Sequence, residues 1–378
     1  MLAIPTSCAL ARTAPSRPES ADAQTAGVAA DERVRRSQAN EEVRLQHRSR
    51  LEDLLSRAPV SKLAGQLVMA GMAGSRPTPD LLERVRQGEV GGLILYAANV
   101  SEDLPAALEQ LQQAARDGGN PPLLIATDQE GGEVRRLPGP PDSTRTMSTP
   151  EAAARQGEAT GSLLAGHHVN VDLAPVADVT RSASGFEARQ GRGFTGGPAE
   201  VAERSDAFAQ GLQRQGVAAT AKHFPGIGSL TTSTDDTLGR VVLERDEMER
   251  DLLPFRQLVD HGVAVVMLAN AVYPALDPDT PAVFSPRIVQ GLLRDELGFA
   301  GVVITDDLGN TPGLAGDAGE RAVKALSAGA DMVLYSPPAS SPDAYRALLA
   351  AAEAGTLSRG RLEAAYKHVV ALKTRLAA

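Results

Sequence analysis

The chain of 378 residues carries 38 Lys and Arg against 47 Asp and Glu, a net charge of −9 that lacks the cationic excess of a nucleic-acid binder. Its single cysteine, Cys8, excludes an intrachain disulfide framework and a thiolate-rich zinc site. Hydrophobic residues at 42% supply a core, no apolar run approaches the roughly 18–20 residues of a bilayer span, and with no Trp the chain has little stacking surface for flat ligands.

Residues 1–57 stand apart from the rest. The first forty are rich in Ser, Pro, Arg and Ala without apolar periodicity, which predicts a disordered arm. Val43, Leu51, Leu54 and Leu55 predict partial helix before the main domain. Pro5 to Cys8 (PTSC) resembles the cleavage end of a lipoprotein signal, although the basic n-region and apolar h-region are missing. An envelope or extracellular location and a cytoplasmic one both remain open.

Over 58–378 short apolar runs alternate with Ala/Leu/Glu/Arg-rich helical stretches. The runs are LAGQLVMAGM (63–72), GGLILYAANV (91–100), PLLIATDQE (122–130), VNVDLAPVADV (169–179), VAATAKHF (217–224), VAVVMLANAVY (263–273), GVVITDDL (301–308) and ADMVLYS (330–336). Apolar runs without alternation suit strands buried on both faces, and helical crossovers make such a sheet parallel. Eight of them in about 270 residues predict a single α/β domain of the (β/α)₈ barrel type. A doubly wound open sheet is the alternative, but no G-x-G-x-x-G turn follows an early strand. Ser358 to Leu376 predicts a closing helix.

In such barrels, catalytic groups sit where strands end. The third run ends in Asp128-Gln129-Glu130-Gly131-Gly132, with Arg135 and Arg136 following. The fourth ends at Asp178, with Arg192 in the next loop. The fifth ends in Lys222-His223-Phe224-Pro225-Gly226 and leads through Asp235 and Asp236. The sixth carries Asn270 and Tyr273, and the seventh ends Thr305-Asp306-Asp307. Taken singly, each has a plain structural role available: a strand-end Asp caps helices, Gly-Gly makes turns, and paired Asp residues are solvated in loops. Recurrence at one end of successive strands favours a site, and its acids, cations and amides suit a polyhydroxylated ligand. His167 and His168 precede the fourth run, away from that end, and read as structural.

These motifs resemble glycoside hydrolase family 3. The segments are Ala126 to Gly132 with Val134 and Arg136, Lys222 to Gly226, Gly301 to Leu308, VYPALD (272–277) and AGADMVL (328–334). The similarity is greatest to its single-barrel β-N-acetylglucosaminidase branch. It implies a retaining exo-hydrolase that removes β-linked N-acetylglucosamine from cell-wall or chitin-derived sugars through a covalent glycosyl-enzyme, without metal or organic cofactor. By the same resemblance Asp306 matches the nucleophile, and Asp128, Arg192, Lys222 and His223 match residues that hold the sugar hydroxyls. Arg136, Asp178 and Asn270 complete the candidate substrate-binding set.

The chain departs from that branch after Gly226. Ile227, Ser233 and Asp235 stand where the branch has a histidine, the aspartate of an Asp-His dyad, and its acid/base histidine; Asn270 replaces a further histidine. Asp235 is therefore the candidate acid/base, with Asp236 as a neighbour able to raise its pKa. Lys222 or Arg192 is expected to lower that of Asp306. Two alternatives stand: the same barrel with altered chemistry (a phosphorylase, a transglycosylase or another glycone), and a sugar-binding protein without turnover. No metal is expected, because none of the six histidines has a ligand spacing such as H-E-x-x-H. Oligomeric state is not legible.

Overall fold

The computed structural model describes residues 58–183 and 185–377. The expected 1–57 arm, the partial helix predicted within it and the PTSC segment lie outside the described residues. Eight parallel strands close into a barrel: β1 (Val68–Gly71), β2 (Gly92–Leu95), β3 (Leu124–Thr127), β4 (Val171–Asp172), β5 (Ala218–Phe224), β6 (Val265–Leu268), β7 (Val302–Asp307) and β8 (Met332–Tyr335). Each pairs with its neighbours in the chain, and β8 closes on β1 through Val68 opposite Val333. The barrel expectation holds, with every strand inside one of the eight apolar runs.

Two runs divide. Residues before β1 form a helix, Val60–Gly65. The sixth run breaks after β6, and Ala271–Tyr273 instead pairs with Gly239–Arg240 and Asp277–Pro281 in a small separate sheet. That sheet anchors the far end of the loop that carries Asp235.

Local sequence signals set the helices. Thr78, Thr149 and Ser358 each accept a backbone N–H from the first turn of the following helix, Pro79–Gln87, Pro150–Gly166 and Arg359–Leu376 respectively. Gly88 ends the first of these in the left-handed region at φ 81°. The strands are buried on both faces: Met69, Leu93, Ile94, Ile125, Val266, Val303 and Val333 are all at most 2% exposed. Each such side chain contributes roughly 1.5–3 kcal/mol through removal from water. This core holds the strand ends fixed beneath the loops. No helix among the described residues is long and apolar enough to cross a membrane.

Candidate active site

A cleft of about 620 Å³ opens at the C-terminal ends of the strands, within the range that takes a small ligand. Asp128, Glu130 and Arg136 reach it from the loop after β3, and Arg192 from the loop after β4. Lys222 and His223 come from β5, Ser233, Thr234 and Asp235 from the loop beyond it, and Asp306 and Asp307 from β7. Seven of the nine candidate residues therefore line one cavity.

The turn after β3 explains how two loops meet. Gly131 and Gly132 both have positive φ, 100° and 61°, and a Cβ on Gly132 would stand 2.3 Å from the Gln190 carbonyl oxygen. Glu133 N donates to that same carbonyl at 3.0 Å. Gln129 is buried beneath and staples the segment, donating to the Leu137 and Pro140 carbonyls and accepting from Arg136 N and Leu137 N. The Arg192 loop is thus held against the loop of Asp128 and Glu130.

On that side the charges are paired. Lys222 Nζ lies 2.7 Å from Asp128 Oδ1 and 2.6 Å from Glu130 Oε1. Arg192 grips Glu130 with two parallel hydrogen bonds of 2.5 and 2.8 Å. Arg136 reaches Asp128 at 3.4 Å and lies over the Tyr96 ring at 5.2 Å. Burial alone raises the Asp128 carboxyl, but Lys222 and Arg136 outweigh it and hold the group at about 2. Glu130 is likewise held below its ordinary value, with Arg192 and Lys222 overcoming burial.

Asp178 and Asn270 depart from expectation. Neither lines the cleft, and both are fully buried. Asp178 accepts from His223 N at 3.0 Å, from His223 Nδ1 at 2.8 Å and from Ile227 N at 2.7 Å, so it orients the imidazole from behind. Asn270 donates to the Asp307 carbonyl at 3.0 Å and to Thr311 Oγ1 at 2.7 Å, bracing the loop after β7. Both act on the site through a neighbour.

The opposite wall is acidic. Asp306 makes no ion pair among the described residues; its one hydrogen bond there comes from Asp307 N at 2.8 Å. Asp307 accepts from Gly309 N, Ser336 N, Ser336 Oγ and Asn310 Nδ2, which commits it to holding the loop. The expected lowering of the Asp306 pKa is reversed. Burial dominates, Asp235 adds to it, and His223 and Lys222 only partly oppose it, leaving the carboxyl at about 6. Lys222 and Arg192 are already engaged by Asp128 and Glu130. Asp235 lines the cleft from its exposed loop, whereas exposed Asp236 does not.

Two buried acids beside the site, Asp172 and Glu187, are not singled out by the sequence. Asp172, at the end of β4, accepts from Gln129 N at 3.0 Å and is pushed well up by burial. Glu187 sits behind His223 in the short helix Phe186–Gln190 and is also pushed well up, by burial and then by Asp178.

The arrangement offers a paired set of donors and acceptors for sugar hydroxyls beside two carboxyls in different environments. Retaining glycoside cleavage needs such a combination. The model of the glycosyl hydrolase family 3 N-terminal domain matches residues 60–372. The chain is 37% identical over 330 residues to a protein of Arthroderma benhamiae described as an uncharacterized secreted glycosyl hydrolase, covering 83% of this chain and 93% of that one. It is 36% identical over 299 residues to a beta-hexosaminidase of Methylobacillus flagellatus, covering 75% and 83%. Among solved structures, a family 3 beta-N-acetylglucosaminidase from Paenibacillus sp. superposes with a TM-score of 0.81 at 35% identity, covering 85% of this chain and 63% of that one. The chain thus spans under two thirds of that enzyme's length. A beta-N-acetylhexosaminidase from Beutenbergia cavernae superposes at 0.78 with 34% identity, covering 84% and 99%.

Proposed function

Because the chain belongs to glycosyl hydrolase family 3, we propose that it removes terminal β-linked N-acetylglucosamine from cell-wall or chitin-derived sugars, with retention. Asp306 is the nucleophile and Asp235 the acid/base. The observation that carries this is the meeting of both carboxyls in one cleft, Asp306 at the end of β7 and Asp235 on the loop above it. Relatives described as beta-hexosaminidases support the choice of sugar. The Arthroderma benhamiae relative described as secreted supports an envelope or extracellular location.

In the first step an ionised Asp306 oxygen bonds to the anomeric carbon as the C–O bond to the leaving group breaks. For this step Asp235 must carry a proton in the substrate complex, and it gives that proton to the departing oxygen. In the second step Asp235 takes a proton from water, the water oxygen bonds to the anomeric carbon, and Asp306 leaves. Asp128, Lys222, Arg192, Arg136 and His223 hold the sugar hydroxyls through charge-assisted hydrogen bonds.

The test is leaving-group dependence in Asp235→Ala. Poor leaving groups should slow far more than activated aryl ones, and azide should speed the activated substrate by replacing base-assisted water. Equal small losses with no azide effect remove Asp235 from the mechanism and favour the sugar-binding alternative.

A further inference from the structure

Glu187 is 1% exposed, and neither of its side-chain oxygens has a hydrogen-bond donor among the described residues. Leaving an ionised carboxylate in that state is costly, since buried charge needs pairing. The groups facing it come from the loops after β3 and β4 and from strand β5. Asp178 presents a carboxylate and His223 an imidazole Nδ1 at 3.6 Å. Arg192 and Glu130 also face it, but they are bound to one another. Asp178 is ionised: although burial opposes it, His223 and the Ile227 N–H hold its carboxyl below the ordinary value. An ionised Glu187 would place two carboxylates around one imidazole, with their oxygens within 4.8 Å of Nδ1 and of each other.

We propose that Glu187 is a positioning residue that works as a protonated acid: its O–H donates to Asp178, which in turn holds His223 at the wall of the cleft. The inference rests on the reading of the cleft as a sugar site and deepens it. The proton satisfies an otherwise orphaned oxygen and removes the repulsion between the two carboxyls. The elevated pKa of Glu187 agrees with this assignment. Glu187 also belongs to the segment that carries Arg192, whose N–H donates to the Glu187 carbonyl at 3.2 Å. The Glu187–Asp178 hydrogen bond therefore links the Arg192 segment, through Asp178, to the strand that presents His223. A cation among the same three side chains is disfavoured: with Asp178 ionised, Nδ1 must be the donor of their 2.8 Å contact, and a protonated Nδ1 has no lone pair to offer.

The experiment compares Glu187→Gln and Glu187→Ala with the wild type in the full chain. Gln is isosteric and keeps a donor at every pH. Infrared difference spectra at neutral pH should show a protonated carboxyl band in the wild type that Glu187→Gln lacks. Affinity for N-acetylglucosamine, and kcat/KM where turnover is present, should stay within about threefold of the wild type in the Gln variant. The Ala variant should lose roughly tenfold, as for one hydrogen bond. The wild type should also weaken as pH rises and Glu187 ionises, while the Gln variant should not. A missing band overturns the proposal, as does a Gln variant as impaired as Ala, since the group then acts as a carboxylate. Thermal stabilisation by zinc that is lost in Glu187→Gln overturns it in favour of a cation site. Infrared and binding readouts need no turnover, so an inactive chain would defeat the hydrolase reading without deciding this one.

Discussion

On the β3 and β5 side of the cleft, Asp128 and Glu130 are buried against Lys222, Arg192 and Arg136; on the β7 side, Asp306 makes no ion pair among the described residues and shares the cavity with Asp235. The same residue type is held at about 2 on one wall and at about 6 on the other. Paired carboxylates are fixed acceptors, whose charge and geometry change little over the working pH range. An unpaired one keeps the reactivity of its lone pairs. Recognition and chemistry are therefore separated by where the cations went, and substitutions on the two walls should fail in different ways.

The largest effect is expected from Asp306→Asn, which removes the nucleophile and should lower kcat on the order of 10³-fold or more. Steady-state hydrolysis of an activated aryl N-acetylglucosaminide measures it, and retention of full activity would sink the assignment. The same variant should be more stable than the wild type above pH 6. The folded-state pKa of Asp306 is raised from its ordinary 3.8 to about 6, so its favourable contribution is complete below about 3.8 and lost as pH rises through about 6. Asn escapes that loss, by up to about 3 kcal/mol at 1.36 kcal/mol per pH unit. Denaturant titration at pH 5 and pH 8 separates the two.

The paired wall should behave in the opposite sense. Lys222→Met leaves two buried carboxylates short of a cation and should destabilise the fold by about 3–5 kcal/mol. A loss under 1 kcal/mol in denaturant unfolding would mean that the pairing is not structural. Asp128→Ala is milder, because Lys222 retains Glu130 at 2.6 Å. It should weaken N-acetylglucosamine binding roughly tenfold, as one charge-assisted bond is lost. Calorimetric titration with unchanged affinity would place the sugar elsewhere.

Much of this contrast was open to sequence reading, and the missing parts have physical causes. Apolar runs without alternation mark strands buried on both faces, so the barrel and its strand ends were legible. Which strand-end side chains turn into the cleft was not. The named strand β4 covers only Val171–Asp172, and Asp178 lies six residues beyond it, where no pleat parity applies. Asn270 falls in the break after β6. Glu130 stood in view beside Asp128, but its cations come from positions 192 and 222, and sequence does not say which acid takes which base. Glu187 lies in a five-residue helix whose Glu-Ala-Arg-Gln reads as a solvated face. The same blindness produced the expected lowering of the Asp306 pKa, which presumed cations that are engaged elsewhere.

The smallest predicted effect bears most directly on the reacting wall. Asp306 must be ionised to attack, so kcat/KM for an activated aryl substrate should rise with pH through a midpoint near 6. Burial sets most of that value, but the charge on Asp235 also raises it. Removing a negative neighbour makes ionisation easier, so Asp235→Asn should move the acidic limb to lower pH, by less than one unit. The activated substrate matters here: its leaving group departs without a proton, and kcat/KM ends at formation of the glycosyl-enzyme, before a base is needed. Loss of the acid/base therefore does not mask the shift. Arg136→Gln serves as the control from the other wall. Arg136 is not among the main influences on Asp306, so that variant should weaken binding and leave the limb in place. A limb that stays fixed in Asp235→Asn would show that the two carboxyls do not sense each other, and the acid/base role would then need another residue. A limb that moves equally in both variants would show that pairing on one wall reaches the other, and the separation of recognition from chemistry would fail.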